Sequence, residues 1–145
     1  MTGPGWNPWR SLRERERTTL LWQRLAGAGG VVEVSDDGAE TIVLDPGLGR
    51  RERRAVLAHE LVHLERSLLP PGSPPAVVDR EEFQVQREVV RRLVPPQLLE
   101  ELVHAAAADG AGDPVTVEVV ADAFDVPADI ARDSITLFGM RGFCD

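Results

Sequence analysis

The stretch from Arg50 to Ser67 constrains the fold most, because its apolar residues recur at helical spacing over about five turns. The stripe consists of Val56, Leu57, Leu61, Leu64 and Leu68. A helix with one apolar face must bury that face against other elements, so the sequence predicts an amphipathic helix that lies on a core. The middle of this helix carries the pentapeptide His59-Glu60-Leu61-Val62-His63.

The residues that precede this helix predict a small β-sheet. Asn7 followed by Pro8 is typical of a helix start, and we expect a short helix from Pro8 to about Arg17. Thr18–Trp22 is rich in strand-forming residues. Val31–Val34 and Thr41–Leu44 flank a segment that ends in Asp37-Gly38, a pair that favours a hairpin turn.

The residues that follow predict helices only. Leu69–Val78 contains four prolines and is expected to be non-helical. The expected elements are helices over Asp79–Val94 and Gln97–Ala108, a turn over Asp109–Asp113, and a helical pair over Val115–Phe124 and Pro127–Leu137. A short sheet followed by helices indicates an α+β fold. At 145 residues we expect one domain: a helix and sheet (1–49), a helix pair (50–94) and an acidic helical cap (95–145).

Composition and charge exclude several classes of protein. No apolar run approaches the length of about 20 residues that a membrane span needs, and Met1–Arg10 lacks the apolar region of a secretory signal. The only cysteine is Cys144, so we expect a soluble, cytoplasmic protein. Residues 100–145 hold ten acidic residues and two arginines, and they carry the whole net charge of −8. Such a surface repels nucleic acid and favours a basic partner protein.

The final helical pair could also be read as a DNA-binding helix-turn-helix. It carries Glu118, Asp122, Asp125, Asp129 and Asp133, with Arg132 as its single basic residue. Repulsion from phosphates argues against DNA binding, so we expect these helices to cap the core.

The pentapeptide predicts a metal site. His59 and His63 are four residues apart and share one helix face, so both imidazoles can bind the same ion. Zn²⁺ prefers such neutral imidazole nitrogens. Glu60 follows the first histidine by one residue, which places a carboxylate beside the open position, where it can take a proton from water.

A third ligand must come from elsewhere in the chain. The candidates are Glu81, Glu82, Glu88 and His104. Val85, Val89 and Leu93 lie three, seven and eleven residues after position 82, a spacing that predicts Glu82 on the buried helix face, where a carboxylate needs a metal or other partner. The alternative is that Asp79 caps the helix and Glu82 is its capping-box partner.

These motifs resemble the ImmA/IrrE family of bacterial metallopeptidases over about residues 8–100. The resemblance rests on the pentapeptide, on Glu82-x-x-Val85, and on Arg91-Arg92-Leu93-Val94-Pro95, with Glu82 thirteen residues before Pro95. Gln86 stands where many members have Asn. The resemblance implies a zincin-like fold, a third ligand at Glu82, and cleavage of a cytoplasmic protein, typically a helix-turn-helix repressor.

The sequence therefore predicts a zinc endopeptidase in which His59, His63 and Glu82 hold Zn²⁺ and Glu60 is the general base. The chain has no Tyr that could stabilise an oxyanion, so an Arg or His whose position the sequence does not give, or the metal alone, would do so. The alternative is a non-catalytic, zinc-binding regulatory module. Glu60 argues against that alternative, because a structural metal site needs no carboxylate beside an open position.

Overall fold

The structure, a computed structural model, describes residues 5–108 and 115–138. In these residues the elements are α1 (Pro8–Glu14), β1 (Thr18–Trp22), β2 (Gly30–Val34), β3 (Glu40–Leu44), α2 (Arg50–Arg66), α3 (Pro75–Leu93), α4 (Pro96–Ala108), α5 (Val117–Phe124) and α6 (Ala128–Phe138). The predicted α+β class is confirmed. The predicted turn over Asp109–Asp113 and Cys144 lie outside the described residues.

The sheet has the order β1-β3-β2, with β3 at its centre. The predicted hairpin is confirmed: β2 pairs antiparallel with β3, and Gly38 in the connecting turn has a φ of 83°, which glycine adopts without steric cost. β1 also pairs with β3, in parallel, from Thr18 opposite Glu40 to Trp22 opposite Leu44. This pairing joins segments about 20 residues apart in the chain, and local sequence patterns do not specify it.

Helix α1 begins as predicted and ends earlier than predicted. The Asn7 side chain accepts hydrogen bonds from the backbone N–H groups of Trp9 and Arg10, and Pro8 occupies the first helical position. The helix stops at Glu14 because Arg15 turns towards the sheet, where its Nη2 lies 2.9 Å from the Glu40 carboxylate.

The core of this part of the chain forms between α2 and the sheet. The side chains of Ile42 and Leu44 on β3 are fully buried, as are Leu57 and Leu61 on α2. Helix α2 packs on both β2 and β3. The approach is close at Gly30, where an added Cβ would lie 2.6 Å from a methyl group of Val56. Glycine therefore lets the strand and the helix meet.

The predicted start of α3 is wrong by four residues, since the helix begins at Pro75 and not at Asp79. Proline fits the first position of a helix, because the N–H that it lacks would have no partner there. The N–H groups of Val77 and Val78 both bond to the carbonyl of Pro74. Asp79 consequently lies inside the helix, and the capping-box alternative for Glu82 is excluded.

The chain divides into two compact units. One comprises Asn7–Val89, with the sheet, α1, α2 and most of α3. The other includes the described residues of Met1–Trp6 and Val90–Asp145, where α5 and α6 pack on each other through buried side chains such as Phe124 and Ile130. None of the helices in the described residues has the length and hydrophobicity of a membrane span.

Candidate metal centre

Helix α2 brings the two histidines together as its geometry requires. His59 and His63 are one turn apart, and their Nε2 atoms lie 3.2 Å from each other. The ring centroids are 4.8 Å apart and the ring planes cross at 73°. Both Nε2 atoms thus point to a common position beside the helix.

Helix α3 adds a carboxylate to this position. Glu82 Oε2 lies 3.1 Å from His59 Nε2, and Oε1 lies 2.9 Å from His63 Nε2. Among the described residues these three form a cluster whose donor atoms all lie within 4.8 Å of one another. A tetrahedral zinc ion with bonds of about 2.0–2.1 Å would separate neighbouring ligand atoms by about 3.3 Å. The Nε2–Nε2 distance and the contact of each imidazole with one Glu82 oxygen are close to this separation, so the three side chains are placed to bind one ion.

The hydrogen-bond partner of His59 also favours cation binding at the Nε2 atom. Gln86 Oε1 lies 3.3 Å from His59 Nδ1, and because an amide oxygen can only accept, this contact is a hydrogen bond in the tautomer that carries its proton on Nδ1. In a neutral imidazole the other nitrogen, Nε2, then has a lone pair that faces the Glu82 carboxylate. Two electron-rich atoms at this distance repel each other, and a cation between them removes the repulsion. The donor set thus fits zinc.

The surroundings of Glu82 differ from the prediction. Its side chain is 49% exposed, whereas Val85 and Val89 on the same helix are fully buried. The predicted burial of Glu82 was therefore wrong, because the residue lies at the edge of the apolar face and not within it. Proximity to two imidazoles, and not burial, distinguishes this carboxylate.

The other candidate ligands lie apart from the cluster. Glu81 points to Arg66, whose Nε and Nη2 atoms donate to the carboxylate at 2.7 and 3.0 Å. This bond to Arg66 lowers the pKa of Glu81. His104 is exposed, and its Nε2 lies 4.0 Å from the Glu100 carboxylate one turn earlier. Glu88 is half-buried and does not belong to the cluster.

Glu60 is the buried acid of α2, with only 7% of its surface exposed. Burial raises the pKa of Glu60 above its ordinary value of 4.5; His59 lowers it, and the charge of Glu82 raises it further. A carboxylate that holds a proton more strongly than usual is a better general base. Burial also lowers the pKa of His63, against the opposing charge of Glu82, and so favours the neutral imidazole that a metal ligand requires.

Sequence reasoning missed Gln86 as a partner of the site. A signal was present, because Gln86 follows Glu82 by four residues and so shares its helix face. Residues that bond to the outer nitrogen of a ligating histidine fix the ring and its proton. Gln86 is therefore a positioning residue for His59.

We expect Gln86→Leu to weaken zinc binding by about tenfold, at the lower end of the effect of such partners. Leucine has a similar size but cannot accept a hydrogen bond from Nδ1–H, so the tautomer and orientation of the His59 ring are no longer fixed. Gln84→Leu, a change of the same type on the exposed side of the same helix, is the control and should leave affinity unchanged. Competition with a zinc chelator measures both variants, and equal affinities would contradict the role of Gln86.

Comparison with known proteins assigns no family to the chain: no protein-family model matches it, and no curated protein matches it significantly. The ImmA/IrrE resemblance thus stays an expectation from the sequence. The residues that point to a function are the cluster of His59, His63 and Glu82 and the buried Glu60 on the same helix as the histidines.

Proposed function

We propose that the protein is a zinc-dependent endopeptidase with a zincin-like fold. The observation that carries the proposal is the donor cluster of His59, His63 and Glu82: the two Nε2 atoms lie 3.2 Å apart, and each lies 2.9 to 3.1 Å from one oxygen of the Glu82 carboxylate. Glu60 is the adjacent buried acid on the helix that bears both histidines. Metal-assisted hydrolysis commonly uses such a set of groups: two imidazole ligands, a carboxylate as the third ligand, and a separate base.

In this mechanism the protein residues bind and move protons. His59, His63 and Glu82 would hold the ion, and the contact of Gln86 with Nδ1 would keep Nε2 of His59 free to bind it. When bound, Zn²⁺ supplies Lewis-acid polarisation of the scissile carbonyl and lowers the pKa of a water molecule. Glu60 accepts a proton from the attacking water and passes it to the nitrogen of the leaving amine. Water is thereby added across the C–N bond, which gives a carboxylate and an amine.

The proposed substrate is a basic cytoplasmic protein, and the helix-turn-helix repressors that the sequence resemblance implies are of this kind. The support from the structure is surface charge: Glu118 and Asp122 on α5 and Asp129 on α6 are exposed. Such a charge speeds encounter with a basic partner. The same surface disfavours direct contact with nucleic acid.

The test of the proposal begins with metal content. The purified chain should bind about one equivalent of zinc, and His59→Ala and His63→Ala should each abolish this binding, because two remaining protein ligands are too few. His104→Ala removes the exposed histidine outside the cluster and serves as the control. Zinc-loaded protein is then incubated with candidate helix-turn-helix repressors from the same organism, and mass spectrometry should identify a single cleavage site in one of them. If wild-type protein retains no metal, or if His104→Ala loses it as fully as His59→Ala, the proposal fails.

A further inference from the structure

A pocket of about 340 Å³ opens beside the candidate metal centre. His63 and Glu82 form part of its wall, so the pocket and the cluster share two residues. The remaining wall comes from the start of α3 and from the segment between α2 and α3. The volume is at the lower end of the range for ligand pockets, about 300–1,000 Å³, and suits one large side chain.

Much of the lining is apolar. Leu68, Leu69 and Pro70 come from the segment after α2, and Val78 comes from the first turn of α3. Leu68 and Val78 are 37% and 38% exposed. Apolar surface left open to solvent in a concave site gains free energy when an apolar group covers it.

Both carboxylates that line the pocket already have partners. Arg66 holds Glu81 through two charge-assisted bonds, at 2.7 and 3.0 Å. Glu82 faces the two imidazoles and, under the proposed function, the metal. A basic side chain that entered the pocket would have to leave water and compete for carboxylates that are bound elsewhere. The charge pattern therefore selects against a cationic occupant.

We infer that this pocket is a specificity subsite that takes an uncharged, apolar side chain of the substrate, next to the bond that is cleaved. The inference rests on the proposed function, because His63 and Glu82 place the pocket beside the metal. The subsite narrows the substrate class, which surface charge alone defines only as basic proteins. The substrate is a basic protein that presents an aliphatic or aromatic residue at the cleaved bond.

Three small metal-binding probes test this subsite on the zinc-loaded full chain by titration calorimetry. Acetohydroxamate carries a methyl group, 4-methylpentanohydroxamate carries a branched aliphatic chain, and 6-aminohexanohydroxamate carries a chain that ends in an ammonium group. The aliphatic probe should bind at least about tenfold more tightly than acetohydroxamate, because it buries additional methylene and methyl groups. The cationic probe should bind no more tightly than acetohydroxamate.

A matched pair of variants assigns the preference to the pocket. Val78→Asn makes the wall polar and should reduce the tenfold preference to about threefold or less. Val77→Asn changes the neighbouring valine, which is similarly exposed at 43% and does not line the pocket, and should leave the preference intact. The circular dichroism spectrum of each variant reports its fold.

The outcomes separate this inference from the proposed function. If the three probes bind with equal affinity, or if the cationic probe binds most tightly, the apolar subsite is wrong while the metal centre stands. The inference is also overturned if Val77→Asn and Val78→Asn lower the preference equally. If none of the probes binds the zinc-loaded protein, the metal offers no open position, and the proposed hydrolytic function fails together with the inference.

Discussion

Glu60→Gln is expected to slow peptide-bond hydrolysis by about 10²- to 10⁴-fold, the usual contribution of a general base. An amide is nearly the same size as a carboxylate, so the buried position of Glu60 can accommodate it. The amide oxygen cannot take up the proton of the attacking water. Zinc content and the thermal unfolding transition should therefore stay at wild-type values, and the loss should appear in the cleavage rate alone.

The matched control is Glu65→Gln, which makes the same chemical change at an exposed position of α2. Rates are compared by mass spectrometry on the candidate repressor, with both variants loaded with zinc. If Glu60→Gln cleaves as fast as Glu65→Gln, Glu60 is not the base. If neither the wild type nor any variant cleaves although all bind zinc, the non-catalytic regulatory module replaces the peptidase as the better explanation.

Local signals in the sequence predicted most of the elements. The Asp37-Gly38 turn and its flanking apolar strands fix the hairpin through nearest-neighbour chemistry, and the stripe of α2 reflects helical periodicity over a long segment. The parallel pairing of β1 with β3 requires β1 to join the β3 side of the hairpin and not the β2 side. No local sequence pattern encodes that choice.

The start of α3 was missed for a different reason. Four prolines suggested that Leu69–Val78 contains no helix, yet Pro75 sits at the one helical position that proline favours. The error shows that a proline should be judged by its position relative to the helix start. Because α3 begins at Pro75, Glu82 is its eighth residue and lies too far from the helix start to take part in a capping box.

The sequence could predict the histidine pair because both residues belong to one regular helix. The position of Glu82 depends on the contact between two helices. Apolar spacing pointed to Glu82, but through a burial that the structure contradicts. The bond between Arg66 and Glu81 joins residues fifteen positions apart on separate helices, so only the folded chain reveals it. Gln86 was overlooked because its spacing of four residues from Glu82 was the only signal, and glutamine is not itself a usual zinc ligand.

The adjacent residues Glu81 and Glu82 provide the sharpest test of the ligand set. Glu82→Ala is expected to weaken zinc binding by at least about a hundredfold, more than the loss of an outer partner such as Gln86, because a ligand atom itself disappears. The Glu82 oxygens lie 2.9 and 3.1 Å from the two histidine nitrogens, and no other carboxylate in the described residues joins that cluster.

Glu81→Ala should leave zinc affinity within about threefold of the wild type, although it removes the same number of atoms from the same turn of α3. Its carboxylate is bonded to Arg66 and does not belong to the donor cluster, so its removal takes away a nearby charge but no ligand atom. Chelator competition at equal ionic strength measures both affinities, and the unfolding transition of each metal-free variant shows whether the fold is kept. Should Glu81→Ala lose zinc while Glu82→Ala retains it, Arg66 must release Glu81 when metal binds, and the ligand assignment passes to the neighbouring residue.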